Sequence, residues 1–159
     1  MKAIKSVLIY SFILGLLIIG CSPEKKGNYL SKLEVEIPDV LKGNANIVAF
    51  INENAEVLNQ WSVTLEDLVV DCSPYLGKEE EELTDADRAK LGKNMMEFVA
   101  NLGQFAVYSA ELQQMMTTVE AELPDDQLAA FATIKNQLET RMQEIQNKYI
   151  DFGKEQDEE

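Results

Sequence analysis

Three runs of apolar residues at spacings of four and three positions, in strict alternation in the first two, constrain this chain more than any other feature. In the first, Ile47, Ile51, Asn54, Leu58, Trp61, Leu65, Leu68 and Cys72 share one helix face, because a period of 3.6 brings such positions into register. Val48, Ala55 and Val69 widen the stripe. The pattern carries back through Asn44, Val40 and Ile37, with Pro38 as a first helical residue, although Gly43 weakens that extension. A first helix is therefore expected from about 38–44 to about 72, ended by Ser73-Pro74. The second run is the clearest. Leu91, Met95, Phe98, Leu102, Phe105, Ser109, Leu112, Met116, Val119 and Leu123 alternate in the same way, interrupted only by Ser109. Thr84 stands ahead of it as an N-cap, with Asp85 and Asp87 in the first turn, where the helix dipole favours negative charge. At 1.5 Å per residue this helix is about 55 Å long. Pro124, Asp125 and Asp126 open a third, lined by Leu128, Phe131, Ile134, Leu138, Met142, Ile145, Tyr149 and Phe152 and closed by Gly153.

Long amphipathic helices joined by short loops cannot bury their apolar faces separately, and antiparallel packing solves the problem for all three. The expected fold class is all-α, an antiparallel three-helix bundle over residues 38–153. It becomes a four-helix bundle if residues 29–43 form their own helix, or if two chains make a homodimer. In residues 29–37, Leu33, Val35 and Ile37 alternate like a short strand. No second strand is visible to pair with it, so an extended lead-in is expected there. The tail 154–159, KEQDEE, reads as solvated.

The N-terminus has a different pattern. Lys2 and Lys5 precede an apolar run of 14 residues, 7–20, which ends in Ile18-Ile19-Gly20-Cys21. A membrane-spanning helix needs about 20 apolar residues; a basic start, a shorter apolar run and a small residue describe a secretory signal. The last four residues resemble the lipobox of bacterial lipoproteins. The resemblance implies cleavage by signal peptidase II between Gly20 and Cys21, and diacylglycerol on the sulfur of Cys21. Residues 1–20 would then be the signal peptide and 21–37 a lipidated tether and lead-in. Each buried methylene contributes about 0.8 kcal/mol, so two or three acyl chains hold where one does not. Ser22, in place of the Asp that marks inner-membrane retention in enteric bacteria, leans towards an outer membrane, facing the periplasm.

Composition narrows what the domain can do. The chain has 14 Lys and Arg, 28 Asp and Glu, and no His. Without Lys2 and Lys5, 12 basic residues face 28 acidic ones, a balance of −16. That balance opposes nucleic acid, whose phosphates demand Lys and Arg. Lacking His, the chain has no Ser-His-Asp or Cys-His catalysis and none of the Glu-x-x-His metal sites of ferritin-like bundles. No glycine-rich phosphate loop occurs. An enzyme is not expected, no metal or cofactor site is assigned, and the expected function is non-enzymatic binding or scaffolding with an envelope protein as partner.

Several positions carry more than one reading. Met95-Met96, Met115-Met116 and Met142 supply thioethers, which favour Cu(I), yet Met95 and Met116 lie on the core stripe, where methionine is filler. Asn54 and Ser109 either make a buried contact that sets helix register or sit hydrated at a seam edge. Cys72 is either a buried inert thiol or the source of an intermolecular disulfide. Trp61 belongs to the core, whereas Tyr75 and Tyr108 are candidates for an exposed contact surface. Residues 83–91, LTDADRAKL, resemble the L-T-x-x-Q helix starts of Spy/CpxP-type periplasmic stress chaperones, and 123–127, LPDDQ, are a second, degraded copy. The first lacks the Gln and the second the Thr. That likeness implies a small helical protein that cradles unfolded clients.

Overall fold

The computed structural model describes residues 27–150 and Phe152. The signal segment 1–20, Cys21, the first residues of the tether and the tail 154–159 lie outside the described residues. Within them the chain is helical, with no strand. A one-turn α1 (Asp39–Lys42) precedes three long helices, α2 (Ala45–Cys72), α3 (Asp85–Glu122) and α4 (Asp125–Tyr149). A 3-10 turn at Glu80–Glu82 interrupts the loop between α2 and α3.

Side-chain contacts set the directions of the three long helices. Near the start of α3, Asn94 Nδ2 donates to the Asp71 carbonyl at the end of α2, 3.1 Å away. Further along, the Trp61 and Phe105 rings meet edge-on at 5.8 Å, and the Tyr108 hydroxyl donates to Asn54 Oδ1 at 2.9 Å. Numbers rise along α3 as they fall along α2, so the pair is antiparallel. α4 returns against α3 in the same sense, with Phe98 on Tyr149 at 6.4 Å and Lys135 paired to Glu120 at 2.7 Å. α2 and α4 are consequently parallel, with Phe50 against Phe131. The up-down-up bundle expected from the stripes is the fold.

Its core is where those stripes meet. Leu58, Leu65, Leu112, Met116, Phe131, Ile134, Leu138 and Ile145 are wholly buried. Phe152, beyond the end of α4, stays on the core, its ring 4.9 Å from that of Phe98. Burying such side chains contributes about 1.5–3 kcal/mol each, and with Cys72 a free thiol the described domain has no disulfide to add to that.

The first long helix starts at the late end of the expected range, and the extension back to Pro38 does not form. Asn44, Val40 and Ile37 continue the 4–3 spacing but do not belong to α2. Asn44 is extended (φ −104°, ψ 92°) and its side chain accepts from the Ile47 amide, capping α2. Gly43 ends α1 one residue earlier. A continuous helix would lose that cap and hold glycine in its interior, which is unfavourable. The break also turns Leu41 fully into the core. Only 39–42 of residues 29–43 become a separate helix, and Pro38 is its N-cap rather than its first residue.

The other helix starts follow the local chemistry. Thr84 caps α3 in a reciprocal box: its hydroxyl accepts from the Asp87 amide while the Asp87 carboxylate accepts from the Thr84 amide. Ahead of it, Gly77 has φ +74°, the left-handed region that favours glycine.

Candidate functional site

The polar positions of the interior resolve first. Asn54 is buried; its Nδ2 donates to the Phe50 carbonyl at 2.7 Å and its Oδ1 accepts from Tyr108. Ser109 is half-buried and donates to Phe105 of its own helix, so the cross-helix partner of Asn54 is Tyr108, one residue before Ser109. Tyr108, a candidate for the exposed surface, is half-buried against the core instead, and burial pushes its phenol up from its ordinary value. Cys72 is buried, and burial first, then the Asp71 charge, raises its thiol. That is the environment of an inert thiol.

A second polar cluster, not foreseen in the sequence, fastens the lead-in to the bundle. Asn59 of α2 accepts from the Leu33 amide at 2.7 Å and donates to the Leu33 carbonyl at 3.0 Å. One side-chain amide thus makes the two bonds a neighbouring strand would make, which satisfies the extended segment without a sheet. Arg141 of α4 donates to the Ser31 carbonyl and, at 3.1 Å, to Glu144. Glu66, only 3% exposed, accepts from the Asn28 amide at 2.5 Å, the Tyr149 hydroxyl at 2.9 Å and Lys148 Nζ at 2.8 Å. Burial alone would raise the Glu66 carboxyl, but the bonds from Lys148, Tyr149 and Asn28 outweigh it and hold the group below its ordinary value. Tyr149 moves the opposite way, pushed up by burial and then by Glu66. Gly27 sits where a Cβ would come within 3.0 Å of Tyr29, Val70 and Glu66, so the lead-in needs glycine to lie this close to α2.

The Glu66 oxygens are engaged by a lysine, a phenol and an amide, and the cluster works as a clamp. Among the described residues no group of three or more His, Cys, Asp or Glu could hold a metal ion, and no helix is long and apolar enough to cross a membrane. The methionines do not converge either. Met116 and Met142 are core, Met95 and Met115 are half-buried, and Met96 points out of the bundle.

Met96 leads to the surface feature of this domain. The three most exposed large apolar side chains among the described residues are Met96 (70%), Val99 (62%) and Val107 (60%), all on α3. They lie opposite the Phe98–Phe105–Leu112 stripe that enters the core. No charged residue occurs from 98 to 110, in a chain of which 26% is Asp, Glu, Lys or Arg. The outward faces of α2 and α4 are polar by comparison, with exposed Glu53, Glu56 and Gln60 on one and Asn136, Gln143 and Asn147 on the other. The signal for this face was present in the sequence as a second 4–3 run, offset from the first. Its small members carry little hydropathy and were hidden behind the stronger stripe.

Comparison with protein-family models, curated proteins and solved structures returns no match.

Proposed function

We propose that this chain is a bacterial lipoprotein, anchored through lipid on Cys21, whose helical domain acts by contact with envelope proteins and catalyses nothing. The observation that carries this reading is Ile18-Ile19-Gly20-Cys21 at the end of a short apolar run that follows two lysines. Cleavage and lipidation there make Cys21 the first residue of a tethered domain on the periplasmic side of the outer membrane. The uncharged outer face of α3 supports a contact function, because a helix face in water ordinarily carries charge. The buried clamp ties residues 28–33 to α2 and α4, so the segment leading to the anchor leaves a rigid body.

A chaperone of the Spy/CpxP kind has less support. The capping box of Thr84 and Asp87 gives the resembling stretch a local role as a helix start, and among the described residues the buried members of the three stripes form one core cluster. Metal carriage by the methionines has less still, since Met116 and Met142 are core side chains while Met96 faces out of the bundle.

The test is affinity capture of the full chain from detergent-solubilised membranes, beside a Val99→Lys variant. The reading expects an envelope protein, an untagged second copy of this chain included, recovered reproducibly with the wild type and lost with the variant. Capture of nothing beyond background, or of the same proteins by both, counts against a contact function of this face. A Cys21→Ala variant should leave the membrane fraction, and its retention there contradicts the anchor.

A further inference from the structure

From the order of residues on the outer face of α3, we infer that its partner is a second copy of this chain, with the two α3 helices packed antiparallel. The inference rests on reading that face as a contact surface, and it names the occupant.

Gly92, Met96, Val99, Gly103, Ala106 and Ala110 are all exposed, and they follow one another at spacings of four, three, four, three and four. That is a seam of the kind along which two helices mesh. The seam is sorted by size. Its large members, Met96 and Val99, lie towards the N-terminal half, and its small members, Gly103, Ala106 and Ala110, make up the other half. Reversing a second copy about an axis near residue 101 sets Met96 over Ala106 of that copy and Val99 over Gly103, while Gly92 meets Ala110. Bulk then fills space at each level, and each contact occurs twice, as a two-fold interface requires. A parallel pair would instead stack Met96 on Met96 and face glycine with glycine.

The charges of α3 agree with the reversal. Its basic residues, Arg88, Lys90 and Lys93, all lie near its start among Asp85, Asp87 and Glu97, with Lys93 3.6 Å from Glu97 in the single chain, and Glu111 marks the far end of the uncharged stretch. Antiparallel pairing brings Lys93 alongside Glu111 of the second copy at both ends, whereas parallel pairing places like on like. The helix dipoles also oppose one another. A chain with a net charge of −14 associates with itself only where charge is absent, and residues 98–110 provide that.

The glycines are the independent sign. A Cβ built on Gly92 or Gly103 would meet nothing within 4 Å. Glycine inside a helix weakens it, and nothing within the monomer requires glycine at either place. A closely packed second helix does.

The test uses the full chain, exported and held in bacterial membranes, with single cysteines placed on α3. Ala100 is exposed beside the symmetry axis, so Ala100→Cys should form a disulfide-linked dimer under mild oxidation, seen on a non-reducing gel. Ala110→Cys should not, because the antiparallel register separates its two sulfurs by about 27 Å along the axis. Adding Gly103→Lys to Ala100→Cys should reduce the dimer on the order of ten-fold. Open space around Gly103 lets that variant fold, which its helical circular dichroism verifies. Efficient linking of Ala110→Cys, with none at Ala100→Cys, would overturn the antiparallel arrangement. Linking of Ala100→Cys to a different protein would overturn the second copy while leaving α3 as a contact face. No linking at either position would overturn both.

Discussion

Glu66 and Asn59 lie beside the first stripe, one position past Leu65 and Leu58, and each serves the lead-in rather than the core. For Glu66 the consequence is a pH dependence. Its folded-state carboxyl lies below its ordinary value of 4.5, so the unfolded chain takes up the proton more readily. Its contribution to stability is complete above that value and is lost as pH falls through the lowered folded value. Glu66→Gln should therefore cost about 1–3 kcal/mol at neutral pH. It should also flatten the acid limb, so urea midpoints of wild type and variant converge below pH 4.5. Midpoints that stay equally far apart at all pH values would mean the carboxylate charge is not what the clamp uses. Asn59→Ala removes both bonds to Leu33 and should cost about 1–3 kcal/mol by the same measurement. Neither residue was legible in advance. A polar residue flanking an apolar stripe looks like any solvated position until an extended segment is seen to pass over it.

At the scale of elements, spacing located the long helices and left one boundary open between residues 38 and 44. Asn44 falls four residues before Val48 and three before Ile47, so periodicity alone cannot separate a cap from a core position. What separates them is side-chain chemistry: an amide oxygen that reaches the Ile47 amide competes with helix continuation. Thr84 was legible because no apolar pattern runs through it. Removing either cap, by Asn44→Ala or Thr84→Ala, should cost about 1 kcal/mol in chemical denaturation. A loss at Thr84 with none at Asn44 would favour a helix running through Gly43. The outer face of α3 was missed for the opposite reason, since small residues at 4–3 spacing score as neither core nor surface.

On the scale of the whole molecule, an acidic chain with one buried thiol is held together by packing against its own charge repulsion. Two expectations follow from that balance. Leu112→Ala, a cavity at a wholly buried position, should cost about 2–5 kcal/mol. Raising ionic strength from about 0.02 to about 0.5 M should raise the melting temperature by screening like charges; a fall would mean that ion pairs such as Lys148–Glu66 outweigh the repulsion. The bundle was legible because three self-sealing stripes leave few ways to close, whereas the proposed contact role was not, because a contact surface has no motif. The central claim is that this bundle works at the end of a lipid tether, and intact-mass measurement of the full-length product purified from bacterial membranes tests it most directly. The expected product begins at Cys21 and carries the added mass of diacylglycerol, with or without a further acyl group on its amine. A chain that retains residues 1–20, or one without lipid mass, would contradict it.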